Sequence, residues 1–187
     1  MVSGTRRPAQ IYQIKVTLTD LQPPIWRRIQ VRSDTTLAEL HRILQCTLGW
    51  TDTHLHQFII RGEHYGVPDE DNPGARQTRD ERRYRLDDVA AGAGVPFTYT
   101  YDFGDNWEHI LEIEKTFPPD KSVRYPVCLA GAHACPPEDV GGIPGYENFR
   151  EAIRDPQHPD HNELSEWIGG SFDPEAFDLD EVNQLLR

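Results

Sequence analysis

The sequence predicts an α+β fold: a β-grasp-like mixed sheet with one helix packed across it, followed by a C-terminal helical and irregular extension. Three observations carry that prediction. Two alternating stretches, 11–18 and 25–31, flank a short break holding Pro23 and Pro24, a connection that suits an antiparallel hairpin. A capped helix with an apolar stripe follows at 36–48. A second pair of strand-like runs, 97–101 and 107–114, meets at the turn Asp102-Phe103-Gly104-Asp105-Asn106. With 187 residues the chain is long enough for one hydrophobic core without staples. The expected layout is a disordered tail over 1–10 and a single domain over 11–187. Within that domain a sheet-and-helix core spans 11–115 and an acidic extension spans 116–187.

In the first strand Tyr12, Ile14, Val16 and Leu18 share a face against Gln13, Lys15 and Thr17, the period of a half-buried strand. In the second, Ile25, Arg27, Ile29 and Val31 oppose Trp26, Arg28 and Gln30. Thr36 and Glu39 have capping-box spacing, in which each side chain satisfies the other's orphan backbone donor. Leu37, Leu40, Leu44 and Leu48 then form the stripe, His41 lies beside it, and Gly49 is a natural stop.

After the turn at 50–53, residues 54–61 read as a strand in which His54 and His56 point to one face. The stretch 67–83 is rich in Pro, Gly, Asp and Arg and predicts a mobile loop. A short helix or turn at 86–91 precedes the aromatic hairpin. Its faces divide Phe97, Tyr99 and Tyr101 from Thr98, Thr100 and Asp102, and Trp107, His109, Leu111 and Ile113 share one side of the return strand. Phe117-Pro118-Pro119 ends the expected sheet, and 128–146 reads as mostly irregular, its glycines and prolines setting backbone shape. Helices are expected at 146–154, at 161–167 and near 179–186, the last capped by Asp178 with Glu181.

Charge narrows the function classes. The net charge of -12 disfavours sequence-independent nucleic-acid binding, which depends on neutralising phosphates. One basic patch at the N-terminal end (Arg6, Arg7, Lys15, Arg27, Arg28, Arg32) is the only support for it, and the C-terminal third is acidic. No run approaches the roughly 20 apolar residues of a membrane helix. No apolar segment follows the first residues, so a cytoplasmic protein is expected. Three cysteines are too few for a disulfide scaffold.

Four constellations carry possible chemistry. The first is a carboxylate–histidine cluster drawn from Asp102, Asp105, His109, Glu138 and Asp139, joined by His41, His54 or His56. Histidine with carboxylate suits zinc, manganese or iron, and a bound divalent ion activates water against a phosphoester or amide. The bland alternative is that Asp102 and Asp105 cap the turn and that Glu138 and Asp139 cap the glycine loop behind them. Strand alternation also separates Asp102 from His109. The catalytic candidates are Asp105, His109 and Glu138. The metal candidates are Asp102, Asp105, His109, His54 and His56. The second constellation is zinc held by Cys128, Cys135 and His133, whose spacing is loose. The third is an anion at Gly141-Gly142-Ile143-Pro144-Gly145, which lacks the P-loop ending. The fourth is an aromatic surface of Trp26, Trp50, Tyr99, Tyr101 and Trp107 with Arg27 and Arg28, against the alternative that these rings are core.

Pro24-Ile25-Trp26-Arg27-Arg28, Leu40-His41, Gly49-Trp50-Thr51-Asp52, His54-Leu55-His56-Gln57-Phe58, the run from Tyr101 to His109, and Cys135-Pro136-Pro137-Glu138-Asp139-Val140-Gly141-Gly142 stand together in one chain. With these motifs the chain resembles the plasmid pRiA4b ORF-3-like family, whose members are also labelled passenger proteins of mobile elements. The resemblance runs from about Ile11 to the C-terminus and implies an α+β domain without an established activity. Some members carry a resolvase label, but the chain offers no nucleophile with an arginine clamp. At Val140 it departs from a cysteine of the family pattern, which removes a ligand from any cysteine-based site.

Two functions follow. One is a non-enzymatic protein- or peptide-binding module of a plasmid or mobile element, using Trp26, Arg27, His41, Trp50, Asp102, Asp105, Trp107, Glu138 and Asp139. The alternative is a metal-dependent hydrolase using the Asp/Glu/His cluster, with a divalent metal ion as its cofactor. Any chemistry at the hairpin would require the 136–142 loop folded over it.

Overall fold

In the computed structural model, described here over residues 8–68, 78–91 and 94–187, α and β elements build on one eight-stranded sheet. The strands are β1 (Ile11–Leu18), β2 (Trp26–Arg32), β3 (His56–Ile60), β4 (Glu63–Gly66), β5 (Arg79–Asp80), β6 (Phe97–Tyr101), β7 (Trp107–Phe117) and β8 (Val127–Ala132). Their order across the sheet is β5-β4-β3-β6-β7-β1-β2-β8. Every neighbouring pair is antiparallel except β4 with β5. The helices are α1 (Leu37–Leu48), α2 (Leu86–Val89), α3 (Gly142–Arg154), α4 (His161–Trp167) and α5 (Leu179–Leu185).

The two hairpins that the sequence predicts, β1–β2 and β6–β7, meet through the β1–β7 ladder, where Leu18 pairs with His109. Their alternation decides which face is inside. Tyr12, Ile14, Val16, Leu18, Ile29, Val31, Phe58, Tyr99, Tyr101, Trp107, Leu111 and Ile113 are all buried together with Leu37, Leu40, Leu44 and Leu48 of α1. The capping box forms as expected, with Thr36 Oγ1 accepting from Glu39 N and Glu39 Oε2 accepting from Thr36 N, and Gly49 closes α1 at φ 81°. Burying this apolar face is the main favourable term in folding.

Three expectations change. The segment 128–146 is not irregular throughout: β8 extends the sheet along β2, so the sheet does not end at Phe117. Its backbone is also held from the side, since Asn183 of α5 accepts from Cys128 N and donates to Cys128 O, both at 2.9 Å. Helix α3 begins at Gly142, four residues before the expected start, because Gly141 and Gly142 take left-handed angles that turn the chain into it. Of the loop expected over 67–83, residues 69–77 lie outside the described residues. Of the rest, Arg79–Asp80 form β5 and Glu81–Arg83 a 3-10 turn whose first residue, Glu81, is buried. Residues 1–7 of the expected tail also lie outside the described residues, whereas Gln10 exchanges hydrogen bonds with Ser33.

Candidate functional site

The inward face of the sheet carries polar residues where pure core would be cheaper. His56 (β3), Tyr99 and Tyr101 (β6), His109 (β7) and Arg27 (β2) all lie beneath α1 or its C-terminal end and are buried. Buried polar groups require partners, and tracing those partners locates the site.

Arg27 serves as a structural clamp. Its guanidinium donates to the carbonyls of Thr47, Trp26, Ala132 and His133 at 2.9–3.0 Å and stacks on Phe177 at 4.5 Å. It joins the end of α1 to β8 and is not on a recognition surface. Trp26 lies on the opposite face, under the Arg28 guanidinium at 5.1 Å. Trp50, Tyr99, Tyr101 and Trp107 are core rather than surface. The basic patch is dispersed: Arg28 pairs with Glu114, Arg32 pairs with Asp34, and Arg6 and Arg7 lie outside the described residues.

The 136–142 loop does fold over the hairpin. Trp50 Nε1 donates to Pro136 O at 2.9 Å, and Gly141 N donates to Asp105 Oδ2 at 3.1 Å. Glu138 Oε1 accepts from Thr51 N, Thr51 Oγ1 and Tyr101 Oη at 2.9, 3.1 and 3.0 Å. That oxygen is saturated. The other, Oε2, is buried without a hydrogen bond and lies 4.0 Å from His54 Nε2, which is also buried without one. Asp102 Oδ2 stands 3.7 Å and Asp139 Oδ1 3.1 Å from the same nitrogen. Three carboxylates, one from the β6–β7 turn and two from the 136–142 loop, thus converge on one imidazole nitrogen.

Asp102 shows that turn capping and a site are compatible. Its Oδ1 accepts from Gly104 N at 2.9 Å, as a turn aspartate does, and Oδ2 remains for the cluster. Asp102 and Asp139 both have left-handed backbones, φ 54° and 59°, an uncommon state for non-glycine residues that concentrates at functional sites.

A second cluster adjoins the first. His41 Nε2 meets Asp52 Oδ1 and His56 Nε2 meets Glu81 Oε2, each at 2.7 Å. The two imidazoles stack with centroids 3.4 Å apart and planes 5° from parallel. Burial, then the neighbouring His56, push the proton affinity of His41 below its usual value, against the pull of Asp52. Gln45 links the parts: its Oε1 accepts from Asp52 N at 2.8 Å and its Nε2 donates to Tyr99 Oη at 3.0 Å, while Tyr99 Oη meets His41 Nδ1 at 2.8 Å. His41, Asp52, His54 and His56 line one cavity of about 310 Å³ with Arg42 and Arg82.

The structure therefore brings together His54, Asp102, Glu138 and Asp139, and beside them His41 and His56. It does not bring in Asp105, which caps the glycine loop, or His109. The His109 ring is sealed in the core against Trp50 and Tyr99, with Nδ1 facing Tyr99 O at 3.2 Å, and burial lowers its pKa to about 4. Cys128 and Cys135 join no metal-competent group among the described residues, and Cys135 Sγ instead contacts the Arg27 guanidinium at 3.6 Å. Sequence reasoning missed Asp52 and Glu81. Asp52 sits in a turn between the helix and the His-x-His pair. Glu81 lies in a run of charges, Asp80-Glu81-Arg82-Arg83, that resembles any solvated loop.

The fold and cluster define a class: an α/β protein on a mostly antiparallel sheet, with histidines and carboxylates gathered where α1, β3 and the β6–β7 turn meet. Residues 10–181 match the plasmid pRiA4b ORF-3-like proteins, and the chain belongs to that family. It is 41% identical over 183 residues to the uncharacterized protein y4hQ of Sinorhizobium fredii, a similarity covering 95% of this chain and 91% of that one. The crystal structure of a protein of unknown function, MM3350 from Methanosarcina mazei Go1, is similar with a TM-score of 0.83 at 34% identity. That match covers 94% of this chain and 98% of the other. Among the described residues no helix is long and apolar enough to cross a membrane.

Proposed function

We propose that this protein is a metal-dependent hydrolase whose divalent cation is held by His54, Asp102, Glu138 and Asp139. One observation carries the reading: ligand atoms of His54, Asp102 and Asp139 all lie within 4.8 Å of one another, and Glu138 Oε2, buried without a hydrogen bond, stands 4.0 Å from His54 Nε2, which makes none either. A buried polar atom without a partner costs about 1–3 kcal/mol. Three carboxylates around one imidazole also repel one another unless a cation sits among them. One histidine with carboxylates suits zinc, manganese or iron. The Asp139 side chain is 71% exposed, so the centre opens to solvent, as a catalytic ion requires for water. When bound, the ion would lower the pKa of a water and polarise a phosphoester or amide. The saturated Glu138 Oε1 fixes the carboxylate that faces the ion.

The binding-module reading retains one supporting feature. Leu55 and Phe103, beside the cluster in sequence, are 64% and 53% exposed, an apolar edge suited to a peptide side chain. We read the β1–β2 hairpin with α1 as a grasp-like unit enlarged by further strands, and 11–187 as one domain. Three free cysteines fit a reducing cytoplasm.

The test is purification without chelator, elemental analysis, and hydrolysis of bis-p-nitrophenyl phosphate and a p-nitroanilide peptide. The native chain is expected to retain a divalent metal and turn over one substrate. His54→Ala should lose that metal and at least 100-fold in rate. A metal-free native chain that gains no thermal stability from zinc, manganese or iron(II) would refute the hydrolase reading and leave the peptide-binding one.

A further inference from the structure

We propose that His41, Asp52 and His56 form a second divalent-cation site, with Glu81 and Tyr99 orienting the two imidazoles, so that the protein carries a two-metal centre. The inference deepens the hydrolase reading but stands on different side chains.

The first support is convergence. One ligand atom from each of His41, Asp52 and His56 lies within 4.8 Å of the others. His41 Nε2 and Asp52 Oδ1 are 2.7 Å apart, a hydrogen-bond separation that would open to the roughly 3.4 Å edge between tetrahedral ligands each about 2.1 Å from zinc. The second support is the outer contacts. A metal-binding histidine usually gives its other ring nitrogen to a carboxylate or another oxygen, which fixes the ring and its tautomer. Here each ring has such a contact: Glu81 Oε2 at His56 Nε2, and Tyr99 Oη at His41 Nδ1.

The hydroxyl of Tyr99 suits either state of His41. Gln45 Oε1 accepts from Asp52 N, so the amide orientation is set and Gln45 Nε2 must donate to Tyr99 Oη. That oxygen keeps a second lone pair and its own proton. With no cation, Tyr99 donates to His41 Nδ1, and His41 Nε2–H donates to Asp52. With a cation, His41 Nδ1–H donates to Tyr99, which frees the Nε2 lone pair beside Asp52. Between the two states the imidazole proton moves from Nε2 to Nδ1, and with a cation Tyr99 Oη accepts from both Gln45 Nε2 and His41 Nδ1, so its own proton turns away from His41.

Charge gives the third support. Glu81 is 6% exposed, and its carboxylate meets an imidazole that is stacked face to face on another. Two stacked imidazolium rings would place like charges 3.4 Å apart. A cation bound at neutral rings compensates Asp52 and Glu81 without that repulsion. Asp52 itself holds a left-handed backbone, φ 57°. His54 and His56, two residues apart, would then serve neighbouring ions, and both line the same cavity.

The experiment titrates the chelator-stripped full-length chain with zinc, then desalts it and counts the metal retained. The native chain should hold two equivalents. Asp52→Asn should hold one, since asparagine tolerates the same backbone and keeps the His41 contact but is a poor ligand. Glu81→Gln should weaken the second equivalent by 10–100-fold. His54→Ala should also hold one equivalent, the other one, and the double variant Asp52→Asn/His54→Ala should hold none. A native chain that binds one equivalent, unaffected by Asp52→Asn and Glu81→Gln, overturns the second site. Loss of metal with Asp52→Asn but not with His54→Ala overturns the first site and leaves the second.

Discussion

At the scale of single residues, strand alternation predicted burial well and predicted the cluster poorly. It placed Arg27 and His109 on the inward face, where they are. It set Asp102 apart with Thr100, but Asp102 is a left-handed residue that ends the strand, and alternation does not extend through such a residue. His54, Asp102, Glu138 and Asp139 were legible as metal-type residues. Their convergence was not, because it depends on which oxygen of Glu138 is already occupied. His109 shows the converse, a histidine in the strongest motif that is sealed in the core. Its pKa in the folded chain, about 4, lies below the usual 6.5, so the unfolded chain takes up the proton first as the solution is acidified. The stability from keeping it neutral is complete above pH 6.5 and is lost as pH falls towards 4. Urea unfolding of the chelator-treated protein should show about 2 kcal/mol more loss between pH 7.5 and 5 than His109→Gln shows. Equal pH dependence in the two would remove that role.

At the scale of elements, local rules served where structure is local. The capping box of α1, the hairpin turn and the Asp178 cap of α5 all form as their spacings imply. Strand β8 escaped detection because its run, Val127-Cys128-Leu129-Ala130-Gly131-Ala132, has no alternation. Gly131 is there for space: a Cβ would come within 2.7 Å of Phe177 and 2.8 Å of Arg27 Cδ. Gly142 has a comparable role at the site. Its φ is 67°, and a Cβ would lie 2.9 Å from Asp105 O, so only glycine lets the 136–142 loop close on the hairpin. Gly142→Ala should cost roughly 1–3 kcal/mol and weaken metal retention, because Glu138 and Asp139 ride on that loop. Gly49→Ala is the control. Gly49 is also left-handed, but nothing lies within 4 Å of an added Cβ, so stability alone should fall. Calorimetry and metal analysis on both variants check this; equal metal retention in the two would argue against the loop's role.

At the scale of the molecule, the family and the mixed α/β character were readable from motifs, and the assembly of the site was not. The cluster draws on the segment before β3, the β6–β7 turn and the 136–142 loop, brought together by ladders and by Trp50, Tyr101 and Arg27 reaching between elements. Glu81 enters from a stretch whose composition reads as loop. Such long-range placement leaves no periodic trace in a sequence. The central claim is that this convergence holds a cation at His54. The most direct test is anomalous diffraction at the zinc and manganese edges from crystals of the chain soaked in each ion. The account predicts a strong peak about 2.0–2.3 Å from His54 Nε2, ringed by Asp102, Glu138 and Asp139. A map with no peak there, and His54 Nε2 hydrogen-bonded directly to one of those carboxylates, would contradict it.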